Sequence, residues 1–338
     1  MATREIENIG ENVVTERPSE EEITKLTEKA MEEQGDYEVE VSFEGGKSLS
    51  IFQQCWKKCK KRPDHNDFIP ISTLRVDHLP DNFKDPDIIS VIRCLSYLTV
   101  NINVLGASES RPENHNGKPY PRYSNIAPDM TRTGTGKIHT ISIYPDDGDE
   151  NCHCKKCKND QIITKIWGKV FILTAMHVVF DKFEAENTTC IWGHNTESCK
   201  VANLEGVDIR KATLMNDMCL FECVTHDVDL LKKLKGTIDL YTSHCAQVYE
   251  KFKHGPDKSL IILVSHPHGC AKHVSIGKIL TREKLPNEDT RYTYDAPTCN
   301  GCSGAPVYVL EKKNGWWTTH VHSGSVVTGG SISGLTWL

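Results

Sequence analysis

Short apolar segments separated by turns fill the chain from about residue 132 onward, and this pattern limits the folds open to it. They recur at intervals of roughly 8–15 residues, and helical periodicity is almost absent apart from one turn near Val228–Leu234. The segments are Gly136–Ile143, Ile166–Leu173, Met218–Val224, Leu260–Val264, Val274–Leu280, Ala305–Leu310 and Thr318–Val321. Many short strands without intervening helices predict a β-sandwich or β-barrel and exclude a parallel α/β sheet. We therefore expect a mostly β protein.

Length and composition narrow the class further. The 338 residues are too many for one compact core and fit about two to three domains. Apolar residues make up 38% and charged residues 25%, which excludes a mostly disordered chain. The formal net charge of −6, from 40 basic and 46 acidic side chains, argues against a general nucleic-acid binder.

The lengths of the apolar runs and the number of cysteines indicate in which cellular compartment the protein is expected. Leu260–Val264 is typical of the longest apolar runs, well short of the roughly 18 residues that cross a bilayer. The first residues lack the apolar core of a secretory signal. We therefore expect a soluble, cytoplasmic protein that does not bind a membrane. The 14 cysteines are accordingly expected to be free thiols, with metal binding by some of them as the alternative to be weighed.

The N-terminal residues 1–95 form a predicted acidic α+β extension. The first 50 residues carry 14 acidic and 5 basic side chains, and one hypothesis is that the extension binds a protein partner. Its predicted elements are helices over 19–34, 49–61 and 86–97 and a strand over 37–43. The basic run Lys57–Arg62 is interpreted as a solvated helix end, because cations suit a helix C-terminus.

Three motifs in the β-rich region carry the chemistry. A buried strand, Phe171-Ile-Leu-Thr-Ala-Met-His, ends in His177, and Asp217 directly precedes the apolar strand Met-Cys-Leu-Phe. Ser303 lies in the glycine-rich turn Asn-Gly-Cys-Ser-Gly-Ala-Pro. A serine hydroxyl is a poor nucleophile at neutral pH and needs an imidazole base, which in turn needs a carboxylate to fix its tautomer. The three residue types predict nucleophilic catalysis by Ser303.

The same turn supplies a predicted oxyanion hole. An attacked carbonyl becomes an oxyanion and needs preorganised N–H donors. A glycine two residues before the nucleophile lets the amides of Gly301 and Ser303 point at one spot. Taken singly, His177 is more simply explained as a strand-end residue and Asp217 as a turn residue.

The three motifs together resemble those of trypsin/chymotrypsin-like serine proteases. Thr-Ala-Met-His177 is similar to the family's Thr-Ala-Ala-His, Asp217-Met-Cys-Leu to its Asp-Ile-Ala-Leu, and Gly301-Cys-Ser303-Gly to its Gly-Asp-Ser-Gly. In motif style the chain is closest to bacterial glutamyl endopeptidases. The resemblance covers roughly 98–338 and implies two antiparallel six-stranded β-barrels with the triad between them. The implied domains are 96–235, with a Cys-rich insertion at 145–160, and 236–338.

The resemblance implies an intracellular serine endopeptidase acting on polypeptides through a His-Asp-Ser triad and an acyl-enzyme, with no cofactor for catalysis. Cys302 replaces the aspartate that pairs with a newly cut N-terminus in zymogen-activated relatives. Activation by that route is therefore not expected. The alternative is a protease-fold module that binds protein and has lost turnover.

Specificity is predicted from the segment Thr-His-Val-His322-Ser323-Gly324, which occupies the place of the family's substrate-binding strand. Glutamyl endopeptidases and viral chymotrypsin-like cysteine proteases have a histidine here that holds a Glu or Gln side chain. We therefore predict that His322, Ser323 and Gly324 line the substrate cleft, with Glu or Gln preferred before the scissile bond. A histidine capping a strand edge explains His322 equally well.

Cys152, Cys154 and Cys157 form a cluster in a polar insertion between two strands of the first barrel. Three thiolates could ligate a structural Zn²⁺ with a fourth ligand from elsewhere. The fourth-ligand candidates are Cys190, Cys199 and His194. Free thiols on a hairpin are the alternative, because the spacing is not a paired C-x-x-C set.

Overall fold

The computed structural model describes most of the chain, in segments. The described residues are 34–42, 49–115, 118–121, 130–144, 151–160, 166–284, 290–312 and 320–334. The predicted helix over 19–34 falls outside them except for its last residue, which begins a strand.

The elements follow in chain order. The strands are β1 (Gln34–Tyr37), β2 (Glu40–Ser42), β3 (Ile69–Pro70), β4 (Thr99–Leu105), β5 (Asn114–His115), β6 (Lys118–Pro119), β7 (Thr131–Tyr144), β8 (Trp167–Thr174), β9 (Thr188–Trp192), β10 (Ala202–Thr213), β11 (Met218–Thr225), β12 (Leu260–Ser265), β13 (His273–Lys284), β14 (Thr290–Tyr294), β15 (Pro306–Val309), β16 (His320–Val326) and β17 (Ser331–Ser333). The helices are α1 (Leu49–Lys57), α2 (Pro86–Leu98), α3 (Lys155–Asp160), α4 (Lys182–Glu186) and α5 (Val228–Phe252). Short 3₁₀ helices are Ile71–Thr73, Val76–His78, Asp81–Phe83 and Pro267–Gly269.

The first barrel closes six antiparallel strands in the order β4, β9, β10, β11, β8, β7 and back to β4. Along its strands, apolar residues either alternate with polar ones or follow one another without a break. In both cases the side chains that point inward are apolar and fill the barrel interior. Ile102, Ile138, Ile172 and Phe221 are all buried in one apolar cluster. The closure confirms the predicted barrel and leaves no open edge in the ring.

The second barrel closes β12, β13, β14, β17, β16 and β15, again antiparallel, with β15 pairing back to β12. Its interior contains Ile261, Leu263, Tyr292 and Val307. The two closed barrels confirm the predicted mostly β, chymotrypsin-like architecture.

The segment predicted as one strand over 37–43 is instead two strands on different barrels. In β1, Tyr37 lies opposite Gly324 of β16 in the second barrel. In β2, Val41 lies opposite Arg132 of β7 in the first barrel. In β2 the polar Glu40 and Ser42 are buried while Val41 is half-buried, the reverse of the predicted pattern. The reason is that the chain crosses between the barrels at Glu38, so both faces of the segment meet protein.

Helix α5 is the main element that the sequence analysis missed. It has 25 residues, and the side chain of the preceding Asp227 caps it by accepting a hydrogen bond from the Leu230 amide. Its buried face consists of Leu230, Leu231, Leu234, Tyr241, Cys245 and Val248, and the helix packs against α2. The domain boundary predicted between residues 235 and 236 falls inside this helix and stays a prediction.

Among the described residues, no helix combines the length and apolar character that crossing a bilayer requires.

Candidate active site between the barrels

The three side chains singled out from the sequence meet where the barrels face each other. His177 follows β8 and its Nδ1 lies 2.7 Å from Oδ2 of Asp217. On the other side of the ring, Nε2 lies 2.7 Å from Oγ of Ser303. An ionised carboxylate can only accept, so Nδ1 donates to Asp217 and the neutral ring accepts the Ser303 hydroxyl proton at Nε2. The structure therefore brings hydroxyl, imidazole and carboxylate into one hydrogen-bonded series.

Asp217 is held in place from several directions. Its backbone has a φ of +46°, in the left-handed region that non-glycine residues rarely adopt. Oδ1 accepts from the backbone amide of His177 at 3.1 Å, and the Ser323 hydroxyl donates to Oδ2. Such strain persists only where the surroundings fix it, and it clusters at functional sites. Ser323, predicted to line the cleft, therefore also orients the carboxylate.

The glycine-rich turn presents two amides to one oxygen. The amides of Gly301 and Ser303 donate to the backbone carbonyl of Glu38 at 2.7 and 3.3 Å. Gly301 has a φ of +88°, and a Cβ there would lie 2.6 Å from the His268 nitrogen, so only glycine fits. Thr135 braces the turn by donating its hydroxyl to the Gly301 carbonyl at 2.8 Å. The two donors predicted as an oxyanion hole converge as expected of one.

The occupant of this donor pair is part of the same chain. The side chain of Glu38 enters a buried pocket, where its Oε2 accepts from His322 Nε2 at 2.9 Å. Lys61 Nζ and the Thr298 hydroxyl both contact Oε1, the latter at 3.2 Å. Burial alone would raise the pKa of Glu38, but the His322 and Lys61 contacts lower it to about 2. The pocket therefore holds a carboxylate.

Tyr294 fixes the orientation of His322. Its hydroxyl lies 2.8 Å from His322 Nδ1, and burial raises the pKa of the phenol well above its ordinary value, so the hydroxyl keeps its proton. Nε2 donates to the Glu38 carboxylate while Nδ1 is hydrogen-bonded to the Tyr294 hydroxyl, so both ring nitrogens are held. The arrangement turns an N–H of His322 toward the Glu38 carboxylate.

The residues that precede Glu38 also contact residues of the cleft between the barrels. The ring of Tyr37 lies over His177, with centroids 4.6 Å apart. The Asp36 amide donates to the Ser325 hydroxyl at 3.0 Å. At Gly324, a Cβ would lie 2.3 Å from the Asp36 carbonyl oxygen, so this predicted cleft residue does line the path of the segment.

Two pocket residues had no usable signal in the sequence. Lys61 belongs to the basic run interpreted as a solvated helix end, yet its ammonium contacts Glu38. Tyr294 ends β14 and looks like an ordinary core aromatic, since only its contact with His322 distinguishes it. Thr298, whose hydroxyl contacts Glu38 Oε1, was not identified from the sequence either.

A buried ionic cluster supports the loop that follows His177. Glu184 binds Arg111 through both carboxylate oxygens at 2.7 and 2.8 Å and Arg132 at 2.7 Å, with all three side chains buried. Burial alone would raise the pKa of Glu184, but the two guanidinium groups hold it below the ordinary value. Arg111 also donates to the His177 carbonyl at 3.0 Å. The cluster therefore fixes the backbone that carries the imidazole.

The predicted cysteine cluster gathers a histidine that the sequence analysis did not consider. His226 Nε2 lies 3.0, 3.9 and 3.6 Å from Sγ of Cys152, Cys154 and Cys157. The proposed fourth ligands lie elsewhere: Cys190 beside Cys223, Cys199 beside Thr196, and His194 stacked on His266. We refer to Cys152, Cys154, Cys157 and His226 as the Cys152 cluster.

A second group of soft ligands lies behind the oxyanion turn. Cys59, His65, His268 and Cys299, here the Cys59 cluster, bring one ligand atom each within 4.8 Å of the others. Cys299 Sγ lies 3.7 Å from Cys59 Sγ and 3.6 Å from His65 Nε2, which is 3.2 Å from His268 Nε2. The sequence analysis did not identify this group.

Comparison with known proteins yields weak structural likenesses only. The sequence matches no family model and no curated protein. The active form of the Rv3671c protease from M. tuberculosis is 14% identical with a TM-score of 0.38, covering 75% of this chain and 81% of that one. The HtrA-type protease AlgW with a tripeptide is 10% identical (TM-score 0.37), and a serine endoprotease from Yersinia pestis is 12% identical (TM-score 0.34). The alignments span 73% and 72% of this chain but only 59% and 60% of those two. The two-barrel fold therefore rests on the strand pairing itself.

Proposed function

We propose that the protein is a serine endopeptidase that cleaves polypeptides on the carboxyl side of glutamate. The observation that carries the proposal is the hydrogen-bonded series Ser303–His177–Asp217 next to two amides that share one carbonyl oxygen. In this mechanism His177 takes the Ser303 proton as the hydroxyl attacks, and Asp217 stabilises the imidazolium. The Gly301 and Ser303 amides stabilise the oxyanion. The chemistry needs water as its only co-reactant.

The pocket supports glutamate in preference to glutamine. One carboxylate oxygen of Glu38 accepts from His322, and the other contacts Lys61 and Thr298. A glutamine amide offers only one acceptor oxygen, so its NH₂ group would face one of these donors. A buried donor left without an acceptor costs free energy, which disfavours the amide.

Substrate profiling tests this specificity. On a library of peptides that differ in the residue before the scissile bond, we expect Glu to exceed Gln and Ala by about 100-fold in kcat/KM, since hydrogen bonds to a charged group contribute about 1.5–3 kcal/mol each. His322→Leu should remove most of that preference, whereas His254→Leu, at an exposed position outside the cleft, should keep it.

A preference for aromatic or basic residues in the wild-type enzyme would contradict the proposed pocket. Tight binding of Glu peptides without any hydrolysis would favour the alternative, a protease-fold binding module. The cytoplasmic location and the binding of a protein partner by the N-terminal extension stay predictions.

A further inference from the structure

We propose that the protein cleaves its own chain between Glu38 and Val39, an inference that rests on the proposed endopeptidase function. The Glu38 carbonyl oxygen accepts from both amides of the oxyanion turn, and its side chain fills the glutamate pocket. The segment is therefore placed as a substrate of this site, with Glu38 as the residue before the scissile bond.

The backbone on both sides of the bond is extended and paired. Before Glu38, β1 runs antiparallel to β16, and after Val39, β2 runs antiparallel to β7. Strand addition of this kind is a common way for a binding cleft to hold a peptide, because main-chain hydrogen bonds supply affinity and pockets read alternate side chains. The two strands belong to different barrels, so cleavage would separate a fragment paired with β16 from a chain that begins beside β7.

The side chains fit the same orientation. Tyr37, which precedes Glu38, covers the ring of His177. Glu40, two residues beyond Glu38, contacts His268 Nδ1. Pocket contacts at Glu38 with further contacts on both sides distinguish a bound substrate segment from a strand that merely passes through the cleft.

Hydrolysis of the Glu38–Val39 bond needs water as its only co-reactant. Ser303 Oγ attacks the Glu38 carbonyl carbon while its proton passes to His177 Nε2. The bond to the Val39 nitrogen breaks, that nitrogen takes the proton from His177, and Glu38 remains as an ester on Ser303. Water then attacks the ester, gives a proton to His177, and yields a Glu38 carboxylate and a regenerated hydroxyl.

Cleavage would give other substrates access to the cleft, and it is not needed to form the oxyanion hole. The amides of Gly301 and Ser303 already converge on the Glu38 carbonyl in the uncut chain. The new N-terminus at Val39 is thus not needed to form the oxyanion hole, which agrees with Cys302 standing where zymogen-activated relatives have an aspartate. Departure of the fragment that ends at Glu38 would free the cleft for other substrates.

Intact-mass spectrometry of the purified full chain tests the proposal. We expect the wild type to convert into one fragment that ends at Glu38 and one that begins at Val39. The half-time should not change on tenfold dilution, because the bond lies in the cleft of its own chain. Ser303→Ala should stay whole, Glu38→Lys should slow cleavage at this bond by at least about 100-fold, and Asp239→Asn, at an exposed acid on α5 outside the cleft, should be cut like the wild type.

A parallel assay on a free peptide covering residues 34–42 separates this proposal from the proposed function. Wild-type protein that hydrolyses the peptide after glutamate while its own chain stays whole would overturn self-cleavage and keep the endopeptidase. A whole wild-type chain would overturn both proposals only if Glu38→Lys, whose own side chain leaves the glutamate pocket to the peptide, also fails to hydrolyse it. Cleavage that speeds up in proportion to protein concentration would overturn the intramolecular step.

A different observation carries a second inference: we infer that the Cys152 and Cys59 clusters are structural zinc sites. Tetrahedral ligands at zinc distances of about 2.0–2.3 Å lie about 3.3–3.8 Å from one another. Three edges of the Cys59 cluster, 3.7, 3.6 and 3.2 Å, lie in or near this range, and all four ligand atoms lie within 4.8 Å of one another, as a Cys₂His₂ site requires. In the Cys152 cluster the three His226-to-sulfur distances are 3.0–3.9 Å and the four atoms again lie within 4.8 Å, which suits a Cys₃His set.

Surrounding groups support both sites. The Glu40 carboxylate contacts His268 Nδ1, which turns Nε2 toward the Cys59 cluster in the carboxylate–histidine arrangement common at zinc. His65 and His268 have φ values of +49° and +54°, a strained conformation for histidine that marks functional positions. In the Cys152 cluster, the amides of Cys154 and Cys157 donate to the sulfurs of Cys152 and Cys154 at 3.4 and 3.3 Å.

The Cys59 site would tie the N-terminal extension to the oxyanion turn. Two of its ligands, Cys59 and His65, lie in the predicted extension, while Cys299 lies two residues before Gly301. His268 donates its amide to the Asn300 carbonyl at 2.6 Å. A metal here would hold the turn that carries both oxyanion donors.

Elemental analysis of the purified full chain under reducing conditions tests both sites. We expect about two zinc ions per chain, falling to one in Cys154→Ser and one in Cys299→Ser. Cys55→Ser, four residues before Cys59 but outside its cluster, should keep two. Cobalt substitution should give thiolate-to-metal charge-transfer absorption that each ligand variant reduces, a readout independent of activity. Less than one zinc after reconstitution, iron in its place, or unchanged zinc in both ligand variants would overturn the inference.

Discussion

Ser303→Ala is expected to lower kcat for a Glu-containing peptide by on the order of 10⁶-fold, because the reaction loses its nucleophile. His177→Ala should cost a similar factor, and the double variant should lose little more, since residues that act as one unit are strongly non-additive. Asp217→Asn should lower kcat by about 10⁴-fold by presenting the wrong hydrogen-bond partner to Nδ1. Steady-state hydrolysis of the peptide, with timed stopped samples for the slowest variants, measures kcat for these three single variants and the double variant.

Ser323→Ala is the matched control for the loss of a hydroxyl at the same site. Its hydrogen bond to the Asp217 carboxylate should contribute about 1.5–3 kcal/mol, so the expected loss is about 10- to 100-fold. Equal losses in Ser303→Ala and Ser323→Ala, or additive losses in the double variant, would contradict a nucleophile–base unit.

Glu184→Ala is expected to lower the free energy of unfolding by about 3–5 kcal/mol. The substitution leaves the guanidinium groups of Arg111 and Arg132 buried without their carboxylate. It also removes the acceptor of the Ser108 and Phe180 amides, at 2.9 Å each. Because Arg111 also holds the His177 carbonyl, we expect activity to fall together with stability. Urea unfolding followed by tryptophan fluorescence measures the change.

Glu186→Ala removes the same side chain from the same short helix at a half-buried position. Its unfolding free energy should stay within about 0.5 kcal/mol of the wild type, as for most substitutions near the surface. A Glu184→Ala protein that unfolds within about 1 kcal/mol of the wild type would contradict the role given to the ionic cluster.

The barrels and the reactive side chains could be predicted because their signals are local. A strand that ends in His177, an aspartate before a strand and a serine in a glycine turn each occupy a few consecutive residues. Helix α5 also carries a local signal, since its buried residues repeat at helical spacing. Charged and threonine positions, with Gly236 in the interior, obscured that repeat.

The occupied cleft could not be predicted because it joins distant parts of the chain. Glu38 meets His322 across 284 positions in the sequence and Thr298 across 260. No local pattern at Tyr37-Glu-Val-Glu indicates that one side chain enters a pocket while its carbonyl meets two amides. The single predicted strand was therefore divided between the two barrels for reasons that only tertiary structure supplies.

The proposed metal ligands include some that are visible as a local sequence pattern and others that come together only in the folded chain. The spacing of Cys152, Cys154 and Cys157 is visible in the sequence, but His226 joins them from the end of β11 about 70 positions away. In the Cys59 cluster the two cysteines lie 240 positions apart, and both histidines have unusual backbone angles. A ligand set assembled from three separate segments leaves no spacing to recognise.

Covalent labelling by a fluorophosphonate is the most direct test of the central claim, that His177 and Asp217 activate the Ser303 hydroxyl. Peptide mapping of the labelled protein should place a single adduct on Ser303, and His177→Ala should abolish it while the protein stays folded. A folded wild-type protein that takes no label, or takes it on a serine other than Ser303, would contradict the account.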